Sequence, residues 1–205
     1  MGKILRIYAN EEVRMSKRFT PDYVNDIRHD RYNMDNAIEK ILSECGIDGY
    51  PINVIKIARE LNFDIISGKF KQRNVFGAMW DGSDEIKIGN RSSKRFILYN
   101  VDDSKERQMF TIAHELGHFM LHCNDKENFF ERYHGDAEQG EQEKQIEDAA
   151  DFFAASLLMP RKEFKKYVES NNGLDRDKLL DKICNDFWVE KEAARRRLDE
   201  VGIRV

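Results

Sequence analysis

The chain has 205 residues, of which 40% are hydrophobic and 35% charged, and its formal net charge at pH 7 is −4. This length can bury the core of one domain, and the weak acidity gives no indication of binding to nucleic acid or to an anionic membrane. The sequence holds no run near the roughly 18 apolar residues that cross a bilayer, and its charged start does not fit a secretory signal. The three cysteines, Cys45, Cys123 and Cys184, are far apart and odd in number, so we expect a cytoplasmic protein without a disulfide framework.

The first half of the chain predicts two helices followed by a small sheet. Residues 1–33 are a mixed-charge stretch without clear periodicity, and we expect them to be an N-terminal extension. Apolar residues recur at helical spacing from Asn36, with Gly46 suited to end that helix, and a second helical face follows Pro51. Short β-forming runs come next, separated by turn residues at Asp81-Gly82-Ser83 and Gly89-Asn90: 63–66, 75–80, 85–88 and 95–98.

The second half of the chain predicts helices. A helical pattern runs from Lys105 to about His122, and a polar stretch follows it. Residues 146–159 then predict a helix that is apolar on almost every side and ends before Pro160. This order favours an α+β fold. We expect one domain over residues 34–165 and a helical subdomain over 166–205.

The chemistry is concentrated in a His-Glu-Leu-Gly-His motif that begins at His114 within an apolar helix. Its spacing of four places His114 and His118 on one helix face, where both imidazoles can bind one tetrahedral zinc. Glu115 lies about 100° around the helix, beside the metal, and is predicted to be the general base that takes a proton from a water molecule. Gly117 would let another element approach closely. His122 is about 12 Å along the axis from His114, too far to share an ion, so we expect a structural role for it.

A catalytic zinc site needs a third protein ligand, and the best candidate lies in the later apolar helix. Glu147 and Asp151 are four residues apart on one face of that helix, where two like charges need a cation. We predict that Glu147 binds the metal and that Asp151 accepts the free ring N–H of a metal-bound histidine. Two alternatives stay open: Glu147 belongs to a loop before the helix, or Asp148 is the ligand.

These motifs resemble those of the ImmA/IrrE family of metallo-endopeptidases. The resemblance rests on residues 110–118 (FTIAHELGH) and on residues 147–160 (EDAADFFAASLLMP), and it covers about residues 34–160. It implies a zincin-like, thermolysin-like core with one zinc per chain and Glu147 as third ligand. It also implies cleavage of a helix-turn-helix repressor, often of a mobile element or a stress response. The alternative function is a metal-binding regulator that acts by binding DNA or a partner, with little proteolysis.

The acidic segment 124–148 carries nine acidic residues and three basic ones. The simpler interpretation is a solvated loop, and the functional one is a lid that favours basic substrates such as DNA-binding repressors. Tyr133 or His134 in this segment could donate a hydrogen bond to the oxyanion of a tetrahedral intermediate. Strand 85–88 could be a sheet edge that binds an extended peptide, although its alternation also fits an ordinary half-buried strand.

The tail predicts two short helices that meet at Phe187-Trp188-Val189, as in a helix-turn-helix. The run Arg195-Arg196-Arg197 suggests DNA binding, but residues 190–200 hold four basic and four acidic side chains. A recognition helix usually keeps a basic excess, so we expect a unit that packs or docks a partner, and direct nucleic-acid binding is not favoured. The apolar positions predicted to form the packed face are Leu179, Leu180, Ile183, Phe187, Val189, Ala194 and Leu198.

Overall fold

The computed structural model describes residues 31–70, 75–122, 128–133 and 141–203. The elements within these residues are, in chain order, α1 (Arg31–Glu44), α2 (Val54–Glu60), β1 (Asp64–Gly68), β2 (Val75–Ile88), β3 (Arg91–Asn100), α3 (Lys105–His122), β4 (Asn128–Tyr133), α4 (Glu141–Leu158), α5 (Arg161–Ser170), α6 (Arg176–Phe187) and α7 (Lys191–Glu200). Helices followed by a small sheet and then mainly by helices confirm the predicted α+β fold. Residues 1–30 of the predicted N-terminal extension lie outside the described residues.

The four described strands form one sheet in the order β1-β3-β2-β4. Strand β1 is parallel to β3, and β2 is antiparallel to both β3 and β4. Strands β2 and β3 form a hairpin that turns at Gly89, whose φ of 60° lies in the region that glycine adopts without strain. The predicted turn at residues 81–83 is wrong, because these residues continue strand β2. The β2–β3 register shifts there, between Asp81 and Ile86, so the extra residues are absorbed by a bulge rather than by a reversal.

The segment 85–88 is an ordinary half-buried strand end. Ile86 and Ile88 are partly buried, while Glu85 and Lys87 are exposed. Among the described strands this segment pairs with β3 alone, because the pairing of β2 with β4 covers only residues 75–81 of β2. Its other side has no strand partner among the described residues, so the binding of an extended peptide along this segment stays a prediction.

Helix boundaries follow the sequence closely, with two corrections. Helix α1 begins at Arg31, five residues before the apolar spacing at Asn36 and inside the predicted N-terminal extension, and helix α4 also begins early. Helix α1 ends before Gly46, which adopts a φ of 57°, and helix α2 is capped by Asn53, whose side chain accepts from the backbone N–H of Lys56. Helix α4 begins at Glu141, five residues before the predicted start. Residues 141–148 of the acidic segment are therefore helical and not a loop. Glutamate, glutamine and lysine favour helix even where no apolar periodicity marks it.

The C-terminal helices share the core with the rest of the chain. All seven apolar tail positions predicted to pack are buried, and they belong to the same cluster as residues of α1, α2, α3 and α4. The buried cluster thus extends across the expected boundary at residue 165, and the division into domains stays a prediction. Among the helices of the described residues, none has both the length and the apolar character of a membrane span.

Candidate metal centre

Helix α3 places the motif in the interior of the protein. Its residues Ile112, Ala113 and Leu116 are fully buried and hold the helix in the core. The imidazoles of His114 and His118 are each only 1% exposed. Polar side chains at such depth need partners, because the loss of hydration is otherwise uncompensated.

Helix α4 lies close against α3 at Gly117. A Cβ atom at this position would lie 3.0 Å from the backbone oxygen of Ala150 and 3.1 Å from its Cα. A larger residue would push the two helices apart, so the glycine permits the close contact that the sequence predicted. Since α4 carries Glu147, this contact also sets the distance between the two histidines and the predicted third ligand.

Three side chains converge between the two helices. The Nε2 atoms of His114 and His118 are 2.9 Å apart, and the carboxylate of Glu147 lies 3.2 Å from each of them through its two oxygens. One ligand atom from each of these residues lies within 4.8 Å of the others. Glu147 is part of helix α4, so the alternative that places it in a loop is wrong. Asp148, the other alternative, is exposed and is not a member of this group.

The donor set suits a divalent metal such as zinc. The Nδ1 atom of His114 lies 2.8 Å from Oδ1 of Asp151, and donation from this nitrogen to the carboxylate leaves the lone pair of Nε2 directed at the group. Two imidazole nitrogens and a carboxylate oxygen are ligands that zinc prefers, and three protein ligands leave a position for water. The residues present therefore fit the metal that the sequence implies.

Glu147 is held in the form that binds a metal. Burial disfavours its charged form, but hydrogen bonds and charge interactions with His114 and His118 outweigh burial. These interactions with the two histidines hold the pKa of Glu147 well below its ordinary value. The carboxylate is consequently ionised at neutral pH, as metal coordination requires.

Glu115 lies beside this group, where strand β2 meets helix α3. The side chain is fully buried, and it is not one of the three residues that converge. A Cβ atom at Gly77 would lie 3.2 Å from Oε1 of Glu115 and only 2.3 Å from Cγ2 of Thr111. The glycine therefore lets the backbone of β2 lie directly against Glu115, a contact that we did not predict from the sequence. A glycine inside a strand pattern is a known mark of such close approach and was the available signal.

Of the remaining candidate residues, the structure describes His122 and the backbone of Tyr133. His122 lies at the end of α3, where its Nε2 is 3.1 Å from the backbone oxygen of Ile146, as expected for a structural residue. The backbone of Tyr133 ends strand β4 opposite Val75. The orientation of its side chain and the position of His134 lie outside the described residues, so their role in oxyanion binding stays a prediction.

One residue near the centre comes from the far end of the chain. Arg196 of helix α7 places its Nη1 atom 3.9 Å from Oδ2 of Asp151, the residue that contacts His114. No spacing rule connects positions 45 residues apart, so only the fold reveals this proximity.

Comparison with known proteins identifies the family of the chain. A family model described as the IrrE N-terminal-like domain, a peptidase family, matches residues 60–199. No match was found among curated proteins. Among solved structures, a Mycobacterium tuberculosis transcriptional regulator matches with a TM-score of 0.50 and 16% identity, over 86% of this chain and 49% of that one. The chain thus spans about half the length of that regulator, and the similarity concerns the fold alone. Because the family model covers more than half of the sequence, the chain belongs to the ImmA/IrrE family.

Proposed function

We propose that the chain is a zinc-dependent endopeptidase that hydrolyses a peptide bond in a regulatory protein, with a helix-turn-helix repressor as the expected substrate. The observation that carries this proposal is the convergence of His114, His118 and Glu147 beside the buried carboxylate of Glu115. A structural metal site has closed coordination and needs no base next to it, whereas a hydrolytic site needs an open position for water and a base beside it.

The roles of the side chains follow from their positions. His114, His118 and Glu147 would hold the ion, and Asp151 orients the ring of His114 through the 2.8 Å contact. Zinc held by these residues would act as a Lewis acid for the scissile carbonyl and would lower the pKa of a bound water to about 7. Glu115 takes the proton of the attacking water at its carboxylate and passes it to the leaving amine nitrogen.

The C-terminal helices lend little support to the alternative of a regulator that acts through DNA. Arg197 is completely buried. Arg195 contacts Glu192 at 3.4 Å, and Arg196 faces Asp151. Arg197 therefore cannot reach a phosphate, and the neighbouring carboxylates offset the charge of Arg195 and Arg196, which reduces the basic excess that phosphate contacts need.

The test compares the parent protein with Glu115→Gln, which removes the base and leaves the three ligands. Each zinc-loaded protein is incubated with the helix-turn-helix repressor encoded nearest its gene, with and without chelator, and the products are measured by mass spectrometry. We expect one or a few cuts by the parent, none with chelator, and none by a variant that still binds one zinc per chain. Cleavage by Glu115→Gln at the parental rate would contradict the mechanism. A parent that binds zinc but leaves the repressor intact would favour the regulator.

A further inference from the structure

Thr111 lies one helical turn before Glu115, on the same face of α3. Its side chain is completely buried, and its hydroxyl oxygen has no hydrogen-bond partner among the described residues. A threonine in a helix can donate to a carbonyl oxygen of the preceding turn, but this hydroxyl does not. A buried polar group without a partner lowers the stability of the fold. Valine has the same shape as threonine and would avoid that cost, so the fold alone gives no reason for the hydroxyl.

The side chains of Thr111 and Glu115 meet at the backbone of strand β2. A Cβ atom at Gly77 would lie 2.3 Å from Cγ2 of Thr111 and 3.2 Å from Oε1 of Glu115, so both side chains border the same point. Rotation about the Cα–Cβ bond of Thr111 can bring its hydroxyl to the position that Cγ2 occupies, on the side that borders the carboxylate. Hydrogen bonds from a hydroxyl to an ionised carboxylate are short and strong. The natural acceptor for the Thr111 hydroxyl is therefore Glu115.

We propose that Thr111 is a positioning residue for the base, and that its hydroxyl donates to the carboxylate of Glu115 and holds it in the direction that proton transfer needs. A base must lie within hydrogen-bond distance of the proton that it takes, so a fixed direction contributes to the rate. Because Thr111 is completely buried, it acts through Glu115 and does not touch the substrate. The proposal rests on the peptidase function proposed above and adds to it a residue that supports the base.

Two substitutions separate the hydroxyl of Thr111 from its methyl group. Thr111→Val keeps the shape and removes the hydroxyl, whereas Thr111→Ser keeps the hydroxyl and removes the methyl group. Urea unfolding of the zinc-free proteins should give Thr111→Val a midpoint at or above that of the parent, because no hydrogen bond is lost. The midpoint of Thr111→Ser should be lower, because buried apolar surface is lost. Stability should therefore follow the methyl group, and the function of the base should follow the hydroxyl.

The second measurement uses acetohydroxamate, a metal-binding acid whose proton passes to the base when it binds. It is titrated into the full chain loaded with cobalt in place of zinc, whose visible absorption reports binding, after one cobalt per chain has been verified for each variant. We expect Thr111→Val to bind the probe about 10-fold more weakly than the parent, since hydrogen bonds to charged groups are strong, and Thr111→Ser to bind it within about twofold. In a Glu115→Gln background Thr111→Val should have no further effect, because the group on which it acts is gone.

The outcomes distinguish the positioning role from the proposed function. Parental affinity of Thr111→Val for the probe, or an equal loss in the Glu115→Gln background, would overturn the role of Thr111 and leave the peptidase function standing. A lower urea midpoint for Thr111→Val than for Thr111→Ser would also overturn it, because the hydroxyl would then serve the fold. If the probe binds as expected but the repressor is not cut, the proposed function fails and the positioning role stands. If the probe does not bind the cobalt-loaded parent, the centre has no open position and both proposals fail.

Discussion

At the scale of single residues, the helical phase of α4 decides which carboxylate can reach the metal. Glu147 lies 3.2 Å from both histidines, while its neighbour Asp148 is exposed, about 100° further around the helix. These adjacent residues carry the same charge, but one lies at the histidines and the other in solvent. This contrast provides a matched pair for testing the centre.

Glu147→Ala should weaken zinc binding by more than the roughly 10- to 100-fold that loss of a supporting hydrogen bond costs, because it removes one of three ligands. Asp151→Asn should fall within that range, since it weakens the contact that orients His114 and leaves the ligands in place. Asp148→Ala should leave the zinc Kd unchanged. Competition with a chromophoric chelator measures all three, and a severe effect of Asp148→Ala would mean that the helical phase is wrong.

The ligand residues could be predicted because they lie on two helices whose periodicity is regular. His114 and His118 follow from the spacing of four, and Glu147 follows from the cost of two like charges on an apolar face. Arg196 could not be found in this way, since tertiary packing alone brings it to Asp151. Sequence patterns thus identify which side chains share one face of a helix. Contacts between elements that are distant in the sequence can be identified only from the three-dimensional structure.

At the scale of elements, the close contact of α3 with α4 brings the ligands together, and it depends on Gly117. A Cβ atom there would lie 3.2 Å from Cδ1 of Phe153, as well as against the backbone of Ala150. Neither the helix backbone nor a buried aromatic ring can move without disturbing its surroundings. The packing of α3 against α4 therefore also determines the relative positions of the metal ligands.

Gly117→Ala should destabilise the protein by about 1–3 kcal/mol, the usual cost of overpacking, despite the better helix propensity of alanine. It should also weaken zinc binding, because the helices that carry the ligands move apart. Gly173→Ala is the control, since nothing lies within 4 Å of a Cβ atom at that position. Urea unfolding of the zinc-free proteins and chelator competition measure the two effects. A Gly117→Ala protein with parental stability and zinc affinity would show that the contact is looser than described.

Local sequence patterns determined some element boundaries and missed others for physical reasons. Helix α3 has the predicted ends, Lys105 and His122, because its apolar face is continuous. The start of α4 was missed because its first turns are polar on all sides, which leaves no periodicity to detect. The turn residues at 81–83 indicate a reversal, but pairing with neighbouring strands carries β2 through them.

At the scale of the whole molecule, a buried arginine connects the first described helix with the last. Arg197 of α7 is completely buried and donates to the carboxylate of Asp35 in α1 at 3.0 Å. It also donates to the hydroxyl of Ser156 at 2.8 Å and to the backbone oxygen of Met159 at 3.0 Å. The triple-arginine run on its own suggests DNA binding, whereas this member of it lies in the core. The network attaches the C-terminal helices to α4, which is the helix that carries Glu147.

Arg197→Met should destabilise the zinc-free protein by roughly 3–5 kcal/mol, because removal of one partner leaves the others buried without their charge-assisted hydrogen bonds. Arg195→Met, an exposed position on the same helix, should change stability by less than about 0.5 kcal/mol. The double variant Asp35→Leu with Arg197→Met should lose less than the sum of the two single variants, since two apolar groups in contact carry no uncompensated charge. Urea unfolding measures the three differences. If Arg197→Met costs less than about 1 kcal/mol, or if the double variant is strictly additive, the arginine does not hold the C-terminal helices on the metal-binding core.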